Sequence, residues 1–412
     1  MPACLSPLFV KSEEGLIFGV GKNQNQRGIV NSDNWRIANP DGKKRIIVTR
    51  DLPGDRWVDI LVAAGCRVEI FTGTADLSPD EIRQRMGSRC DGVIGQLVEA
   101  WNESLFQALQ GAGGKVYSNY AVGFNNIDLA AATRRGIAVG NTPGVLTGAT
   151  AELAVALTLA AARRIGEAER YLRAGKWERW LPHLFLGTQL RGKTVGIIGA
   201  GRIGTAYARM MMEGHKTDII YYSLHPKPAL EELAAAYSRF LAARREPPVV
   251  CRRAEAVEDL LREADCVSIH TPLDDSTRHL INAERLALMK PDAVLVNTSR
   301  GAVIDEAALV DHCRRHPQFR AALDVYEDEP ALVPGLADLE NVVLVPHIGS
   351  ATRWAREGMA ILAACNVAGV LAGRPAWNRP DIDAFLEADP PPAAPSILNA
   401  EALNLPLFKA TG

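Results

Sequence analysis

The feature that most restricts the fold of this chain is a glycine-rich turn, GAGRIG, at residues 199–204. A strand-like apolar segment, 194–198, precedes the turn, and a helical pattern, 202–212, follows it. In such a unit the first glycine permits a tight turn, the second lets the backbone approach a pyrophosphate at the helix N-terminus, and the third allows close helix–strand packing. The turn therefore predicts a dinucleotide-binding α/β fold in preference to an ordinary βα turn. The cofactor-binding positions expected in it are Gly199, Gly201, Arg202, Ile203 and Gly204.

Strand and helix patterns alternate along most of the chain. Five short segments rich in Val and Ile lie within 43–148, and six more follow a long helical segment at about 149–174. Repeated alternation implies parallel strands joined by crossover helices. We therefore predict an α/β protein of two Rossmann-like or flavodoxin-like lobes, with parallel sheets and an interdomain cleft. The predicted units are an N-terminal extension, 1–42; a substrate-binding domain, 43–148 plus 347–408; and a dinucleotide-binding domain, 149–346.

Composition and charge argue against several kinds of partner. The 412 residues carry a net charge of −2, which gives no electrostatic reason to expect nucleic acid or an anionic membrane as a partner. The apolar run AVALTLAAA is far shorter than the ~20 residues that a membrane-spanning helix needs. Seven scattered cysteines and the lack of a secretory signal pattern indicate an intracellular protein, in the cytosol or in a mitochondrion, peroxisome or chloroplast. No metal site is expected, because arginines surround His312, Cys313 and His316 and would repel a cation.

The end of the strand that follows the glycine turn and its helix bears on the choice of cofactor. An acidic residue there binds the hydroxyl groups of the adenosine ribose and repels a 2′-phosphate. This chain has Ser223 instead, which removes that repulsion. His225 and Lys227 follow, either as a source of positive charge or as solvated loop residues. The expected cofactor is therefore NADH, NADPH or both.

Three polar residues, Arg300, Glu329 and His347, follow predicted strands of the second lobe. Ligands collect at the carboxyl ends of strands in open α/β sheets. An arginine there can bind a carboxylate through two hydrogen bonds and polarise a neighbouring carbonyl, and a histidine paired with a carboxylate suits general acid catalysis. Singly, each residue also fits a surface ion pair, a solvated acid or a structural hydrogen bond. Together, beside a dinucleotide fold, they predict the reduction of a small 2-oxo acid.

The motifs GAGRIG, NTSRG, DVYEDEP and PHIGS, in this order, resemble those of the D-isomer-specific 2-hydroxyacid dehydrogenases. VIGQLVEAW, AVGFNNID, NTPGVLTGATAEL, WLPHLFLG and AYARMMMEG further resemble the branch of that family formed by the plant hydroxypyruvate reductases, over roughly residues 43–408. The resemblance implies reduction of hydroxypyruvate to D-glycerate in photorespiration, with glyoxylate as a side substrate. Two alternatives stay open: an NAD(H)-sensing corepressor of the same fold, and another D-2-hydroxyacid dehydrogenase, such as one acting on formate or phosphoglycerate.

The resemblance also implies roles for individual residues. Arg300 would bind the substrate carboxylate, His347 would act as the acid/base, and Glu329 would tune His347. Backbone N–H groups of Ala121, Val122 and Gly123 would bind the same carboxylate. The remaining cofactor positions that it implies, with Asp324 beside the nicotinamide carboxamide, are Thr271, Pro272, Thr298, Ser299, Asp324 and Gly349.

Two further expectations concern the oligomeric state and the signal for import into an organelle. The family forms homodimers through the second lobe, and Trp180 would either cap the partner's substrate pocket or serve as an ordinary interface aromatic. The plant enzymes carry an aspartate at the position of Ser223 and end in serine-lysine-leucine, whereas this chain ends in FKATG. A peroxisomal address of that kind is therefore not expected.

Overall fold

The computed structural model describes residues 30–32 and 34–409 as two α/β lobes. Each lobe is built around a seven-stranded sheet, and a cavity lies between the lobes. The prediction of two lobes with mostly parallel sheets and a cleft is thereby confirmed. Residues 1–29 of the predicted N-terminal extension, and 410–412 at the chain end, lie outside the described residues.

The first lobe has five parallel strands and two antiparallel strands at one edge. In the sheet order β1-β2-β4-β3-β5-β6-β7, the strands are β1 (Val30–Ser32), β2 (Trp35–Ala38), β3 (Lys44–Val48), β4 (Cys66–Phe71), β5 (Gly92–Gly95), β6 (Val116–Asn119) and β7 (Ala138–Gly140). The helices between them are α1 (Arg56–Ala63), α2 (Pro79–Met86), α3 (Glu103–Gly111) and α4 (Leu129–Arg134).

Strands β1 and β2 correct one expectation. Both lie within the predicted N-terminal extension, 1–42, yet they form one edge of the first sheet, where β2 pairs with β4 and buries Ile37 and Ala38. Trp35 packs its ring 5.3 Å from that of Phe71. Strand β2 was missed because its four residues, WRIA, carry too short a pattern to be separated from a loop.

In the second lobe all seven strands are parallel, in the order β10-β9-β8-β11-β12-β13-β14. The strands are β8 (Thr194–Ile198), β9 (Asp218–Tyr222), β10 (Cys251–Arg253), β11 (Cys266–Ile269), β12 (Val294–Asn297), β13 (Arg320–Leu323) and β14 (Val342–Leu344). The helices are α5 (Thr147–Ala162), α6 (Ile165–Arg173), α7 (Arg202–His215), α8 (Pro228–Ala243), α9 (Val257–Glu263), α10 (Ala283–Leu286) and α11 (Glu306–Arg315). Six of these strands were predicted, and β10 was missed because its sequence, CRR, is polar and partly exposed.

Both faces of the second sheet are covered by helices. In β12, Leu295 packs in the cluster that contains side chains of α9 and α11. Its neighbours Val294 and Val296 pack in the cluster that contains side chains of α5 and α7. Because neither face meets water, these strands are continuously apolar, which is the pattern that made them recognisable in the sequence.

The last long helix, α12 (Arg353–Leu371), returns to the first lobe. Its residues Ala360, Ala364 and Val367 are fully buried in the same cluster as Trp57 of α1 and Val116 of β6. The small alanine side chains allow the helix to lie close to the sheet. No helix in the described part of the chain is long and apolar enough to cross a lipid bilayer.

Candidate active site

A cavity of about 350 Å³ lies between the lobes. Its wall includes the loop after β6 in the first lobe, the loops after β11, β12, β13 and β14 in the second, and single residues of α5, α7 and α12. Carboxyl ends of parallel strands are where ligands collect in this architecture. The predicted site residues in the wall are Val122, Gly123, Ile203, Thr271, Pro272, Thr298, Ser299, Arg300, Asp324, His347 and Gly349.

The glycine turn joins β8 to α7. Gly199 has a φ of 95°, a backbone conformation that favours glycine. A Cβ atom at Gly204 would collide with the carbonyl oxygen of Gly199, so the close approach of α7 to β8 requires glycine there. At Gly201 no atom lies within 4 Å of the Cβ position, which leaves the backbone open to a ligand.

The N-terminus of α7 is suited to bind phosphate. Gly201 is the N-cap of this 14-residue helix, and no side chain caps it. Arg202, the first residue of the helix, is exposed. The first N–H groups of a helix have no partner within it, and with the helix dipole they attract anions. This end of the helix therefore fits the pyrophosphate of a dinucleotide.

Two buried hydroxyl groups in the cavity wall, those of Thr271 and Thr298, have no hydrogen-bond partner among the described residues. Because buried polar groups are normally paired, these two hydroxyls mark positions where a bound ligand would supply a partner. Ser299 lies beside Thr298 and donates its hydroxyl to the side-chain oxygen of Asn297 at 2.7 Å. Pro272, next to Thr271, is exposed in the wall.

Asp324, at the end of β13, anchors the loop that carries His347. Its carboxylate accepts hydrogen bonds from the backbone N–H of Ile348 at 2.6 Å and of Gly349 at 2.8 Å. Burial raises the pKa of Asp324, and these two hydrogen bonds offset only part of that effect. The arrangement holds the loop after β14 against the sheet.

Ser223 follows β9, and an arginine that the sequence analysis missed lies beside it. The carbonyl oxygen of Ser223 accepts hydrogen bonds from Nε of Arg253 at 3.2 Å and from its Nη2 at 2.8 Å. Arg253 ends β10, the neighbour of β9 in the sheet. The sequence feature that could have indicated β10, and with it Arg253, is the apolar pair at 249–250, which directly precedes this strand. His225 and Lys227 lie in the loop after Ser223, and His225 is exposed.

His347 and Glu329 form a hydrogen-bonded pair. Nδ1 of His347 lies 2.7 Å from Oε2 of Glu329, whose Oε1 accepts the backbone N–H of Tyr326 at 3.0 Å. Burial alone would raise the pKa of Glu329, but its hydrogen bond with His347 and the positive charges of His347 and Arg300 lower it below the ordinary value. Glu329 is therefore ionised at neutral pH, which places a proton on Nδ1 and leaves Nε2 of the imidazole for a ligand. Glu329 itself is not part of the cavity wall.

Arg300 spans the cleft and contacts the first lobe. Its Nε donates to Oδ1 of Asn125 at 2.9 Å, and its Nη1 donates to the carbonyl of Ser299 at 2.7 Å. Burial lowers the pKa of Arg300, and the charge of Glu329 acts in the opposite direction. A Cβ atom at Gly123 would collide with the guanidinium, so glycine is required for this approach. Asn125 was not singled out from the sequence, where its only signal was the polar pair in AVGFNNID.

The loop 121–125 is held to its own lobe by its carbonyl groups. The side-chain amide of Asn141 donates to the carbonyl of Val122, and that of Asn119 donates to the carbonyl of Gly123, both at 2.9 Å. These bonds use the carbonyl side of the loop. The N–H side of the loop is therefore the one left to meet a ligand.

Trp180 is not brought to the cavity within one chain. It lies on the segment after α6, and 76% of its surface is exposed. The same segment and α6 expose further apolar side chains, namely Ile165, Leu172, Trp177, Leu181 and Leu186. Within the described residues, no group of three or more His, Cys, Asp or Glu side chains is placed to hold a metal ion.

Comparison with known proteins connects this geometry to a family. The sequence profile described as D-isomer specific 2-hydroxyacid dehydrogenase, NAD binding domain, matches residues 155–349. The chain is 56% identical over 377 residues to a protein of Arabidopsis thaliana named glycerate dehydrogenase HPR, peroxisomal, an alignment that spans 90% of this chain and 98% of that protein. It is 48% identical over 281 residues to a glyoxylate reductase of Thermococcus litoralis, spanning 67% of this chain and 80% of that enzyme.

A solved structure shows the same architecture. The NADPH-dependent glyoxylate/hydroxypyruvate reductase of Sinorhizobium meliloti, determined with NADP and malonate, superposes with a TM-score of 0.68 at 26% sequence identity. The alignment covers 89% of this chain and 99% of that one.

Proposed function

Because the chain belongs to the D-isomer specific 2-hydroxyacid dehydrogenase family, we propose that it is a hydroxypyruvate reductase, an NAD(P)-dependent oxidoreductase that reduces hydroxypyruvate to D-glycerate. Glyoxylate is its proposed side substrate, consistent with the names of its archaeal and bacterial relatives. The observation that carries the proposal is the His347–Glu329 pair, at 2.7 Å, whose His347 lines the same cavity as Arg300 and as Ile203 in the first turn of α7. The site thus combines a proton donor, a carboxylate binder and a dinucleotide cradle.

The proposed division of labour follows from the charges in the cleft. When bound, the reduced nicotinamide supplies a hydride to the carbonyl carbon of the substrate. His347 supplies the proton that the carbonyl oxygen receives, from Nε2, because Nδ1 is held by Glu329. The carboxylate of Glu329 stabilises the protonated imidazole before the transfer and orients it throughout. In the reverse direction, His347 accepts the proton of the alcohol.

Arg300 is proposed to bind the substrate carboxylate. Its Nε and Nη1 are already committed to Asn125 and to the carbonyl of Ser299, so Nη2 faces the loop at Gly123. An anionic substrate in the cavity between the lobes can meet both the guanidinium and the backbone N–H groups of 122–123, which line the same wall. The same positive charge polarises the adjacent carbonyl and favours hydride addition.

The decisive assay measures loss of the near-ultraviolet absorbance of NADPH or NADH upon addition of hydroxypyruvate. We expect turnover with hydroxypyruvate, weaker turnover with glyoxylate, and none with acetone, which lacks the carboxylate. Binding of the dinucleotide without turnover of any 2-oxo acid would contradict the proposal and favour a dinucleotide-sensing role instead.

We propose that the enzyme accepts NADPH as well as NADH, because Ser223 leaves room for a 2′-phosphate and Arg253 offers it a positive charge. Ser223→Asp is expected to raise the ratio of kcat/KM with NADH to kcat/KM with NADPH by at least about tenfold, which corresponds to about 1.4 kcal/mol of like-charge repulsion. Arg253→Gln should raise the KM for NADPH more than that for NADH. The measurement is steady-state kinetics with both cofactors.

The neighbouring arginine supplies the matched control for this test. Arg252 pairs with Glu263, and in the described part of the chain it is Arg253 that donates to the carbonyl of Ser223. Arg252→Gln should therefore leave the cofactor ratio unchanged. An equal effect of the substitutions at 252 and 253, or no effect of Ser223→Asp, would refute the proposal that Ser223 and Arg253 lie beside the 2′-phosphate of NADPH.

We propose that the enzyme acts as a homodimer in which Trp180 of one subunit reaches the substrate pocket of the other. The proposal is supported by the apolar side chains that α6 and the segment after it expose, since clustered exposed hydrophobic residues mark interaction surfaces. Trp180→Ala is then expected to relax the discrimination between hydroxypyruvate and bulkier 2-oxo acids, with KM for the cofactor unchanged.

Trp177, exposed on the same segment, is the control for Trp180. Kinetics with a series of 2-oxo acids, together with sedimentation analysis, separates the two roles of Trp180. If Trp180→Ala and Trp177→Ala both weaken the dimer but neither alters substrate selection, Trp180 is an interface aromatic and nothing more.

A further inference from the structure

The first lobe contains a second cavity, of about 600 Å³, that the proposed reaction does not use. It lies where β3 and β4 begin, beside the end of α2. Since β3, β4 and β6 run parallel, this is the opposite end of the sheet from the loop 121–125 in the active-site cleft. The residues that line the cavity are Ile37, Pro40, Gly42, Arg45, Arg67, Glu69, Arg85 and Arg89.

The charge of this cavity is strongly unbalanced. Four arginines and a single glutamate line it, so three positive charges remain without a compensating carboxylate in the wall. Glu69, whose side chain is 2% exposed, lies 2.9 Å from Arg45, 2.8 Å from Arg67 and 2.5 Å from Arg85. One buried carboxylate thus holds three guanidinium groups together.

The hydrogen bonds of these arginines show which of them can still bind a ligand. Within the described part of the chain, Arg45 has no free N–H group, whereas Arg67 and Arg85 each keep some. Arg45 makes five hydrogen bonds, two to Glu69 and three to backbone carbonyls, which occupy all its donors. Arg67 uses Nε for Glu69 and Nη1 for the carbonyl of Pro40. Arg85 uses Nη2 for Glu69, and its buried Nε has no partner among the described residues.

Arg85 also lies in an unfavourable electrostatic position. Its guanidinium carbon lies 4.0 Å from the centre of the Trp35 ring, within the range of a cation–π contact. Burial lowers the pKa of Arg85, and the charges of Arg45 and Arg67 lower it further, against the opposing effect of Glu69. An anion bound in the cavity would relieve this repulsion.

We propose that this cavity is a binding site for a small phosphate-bearing molecule, held by Arg67 and Arg85 with Arg89 at the entrance. Planar guanidinium groups with free donors match the geometry of phosphate oxygens. A phosphate group carries up to two negative charges at neutral pH, so two phosphates, or one phosphate and a carboxylate, suit three spare positive charges. The volume exceeds what one inorganic phosphate fills and lies within the range of small-molecule sites.

The test uses inorganic pyrophosphate as the probe, in calorimetric titrations and thermal unfolding of the full chain. The wild type is expected to bind pyrophosphate and to unfold at a temperature on the order of 5 °C higher when the site is saturated. Arg67→Gln and Arg85→Gln should each weaken that binding by at least about tenfold, since each removes charge-assisted hydrogen bonds. Both variants should retain the kcat/KM of the wild type for hydroxypyruvate, which shows that they are folded.

Arg83, which lies on α2 together with Arg85, is the matched control. It pairs with Asp80 and Ser104, and it does not line the cavity. Arg83→Gln should keep the response to pyrophosphate. The proposal is overturned if pyrophosphate stabilises the Arg67 and Arg85 variants as much as the wild type, because the anion then binds elsewhere, such as at the glycine turn. An equal shift with sulfate at the same ionic strength would also overturn it.

Discussion

Replacement of His347 by asparagine is expected to lower kcat for hydroxypyruvate by about 10²- to 10⁴-fold, the usual contribution of a positioned acid or base. His347 has a φ of 51°, in the left-handed region that asparagine tolerates better than alanine does. Asparagine therefore keeps the backbone of the loop after β14 but has no proton to give the substrate oxygen. The KM of the cofactor should change little, because the glycine turn lies on other elements.

The structure offers a close control for this substitution. His279 also has a left-handed φ, 50°, and it also pairs with a glutamate, although through Nε2, which lies 2.6 Å from Glu327. It does not line the cleft cavity. His279→Asn should leave kcat near the wild-type value, and if it lowers kcat as much as His347→Asn does, the assignment of the proton donor fails.

A substitution of Glu329, the carboxylate partner of His347, tests the role of His347 as proton donor in a second way. Glu329→Gln keeps the shape of the side chain but removes the negative charge that stabilises the protonated imidazole. The pH profile of kcat should therefore change, because the pKa of Glu329 is lowered by its hydrogen bond with His347 and by the charge of that imidazole, and glutamine provides no charge for this coupling. A purely structural role for Glu329 would reduce stability without moving the pH profile.

Arg300→Ala is expected to raise the KM for hydroxypyruvate and to lower kcat, with kcat/KM falling on the order of 10²- to 10⁴-fold. Two charge-assisted hydrogen bonds at about 1.5–3 kcal/mol each account for that range. Both constants change because the guanidinium binds the carboxylate in the ground state and favours the charge that develops on the carbonyl oxygen in the transition state. Steady-state kinetics measures both constants.

Two further variants test whether geometry or charge alone explains the effect of Arg300. Arg300→Lys keeps the positive charge but loses the planar donor set, including the bond from Nε to Asn125, and should recover only part of the lost kcat/KM. Arg278→Ala removes an exposed arginine outside the cavity wall and should have no effect. Full activity of Arg300→Lys would show that any cation suffices there.

The fold was largely predictable because its signals are local. Glycine at 199 is required by the turn itself, and the apolar runs of β8, β11 and β12 reflect burial on both faces of one sheet. The strands that were missed, β1, β2 and β10, are short and polar or mixed in sequence. Segments β2 and β10 are strands because they pair with β4 and β9, which are distant in the sequence. A short stretch of sequence around each of the two carries no information about these partners.

The sequence by itself therefore determined the two α/β lobes, the glycine turn with the helix that follows it, and the polar residues at the ends of strands. Only the tertiary structure decided which of those residues meet. Asn125 and Arg300 are 175 positions apart, and Ser223 and Arg253 are 30 apart. The arginine cavity joins residues from β3, β4 and α2, with the ring of Trp35 from β2 against Arg85. Such contacts depend on strand order and on the packing of one lobe against the other, which arise from burial summed over the whole chain and leave no periodic signal at the residues concerned.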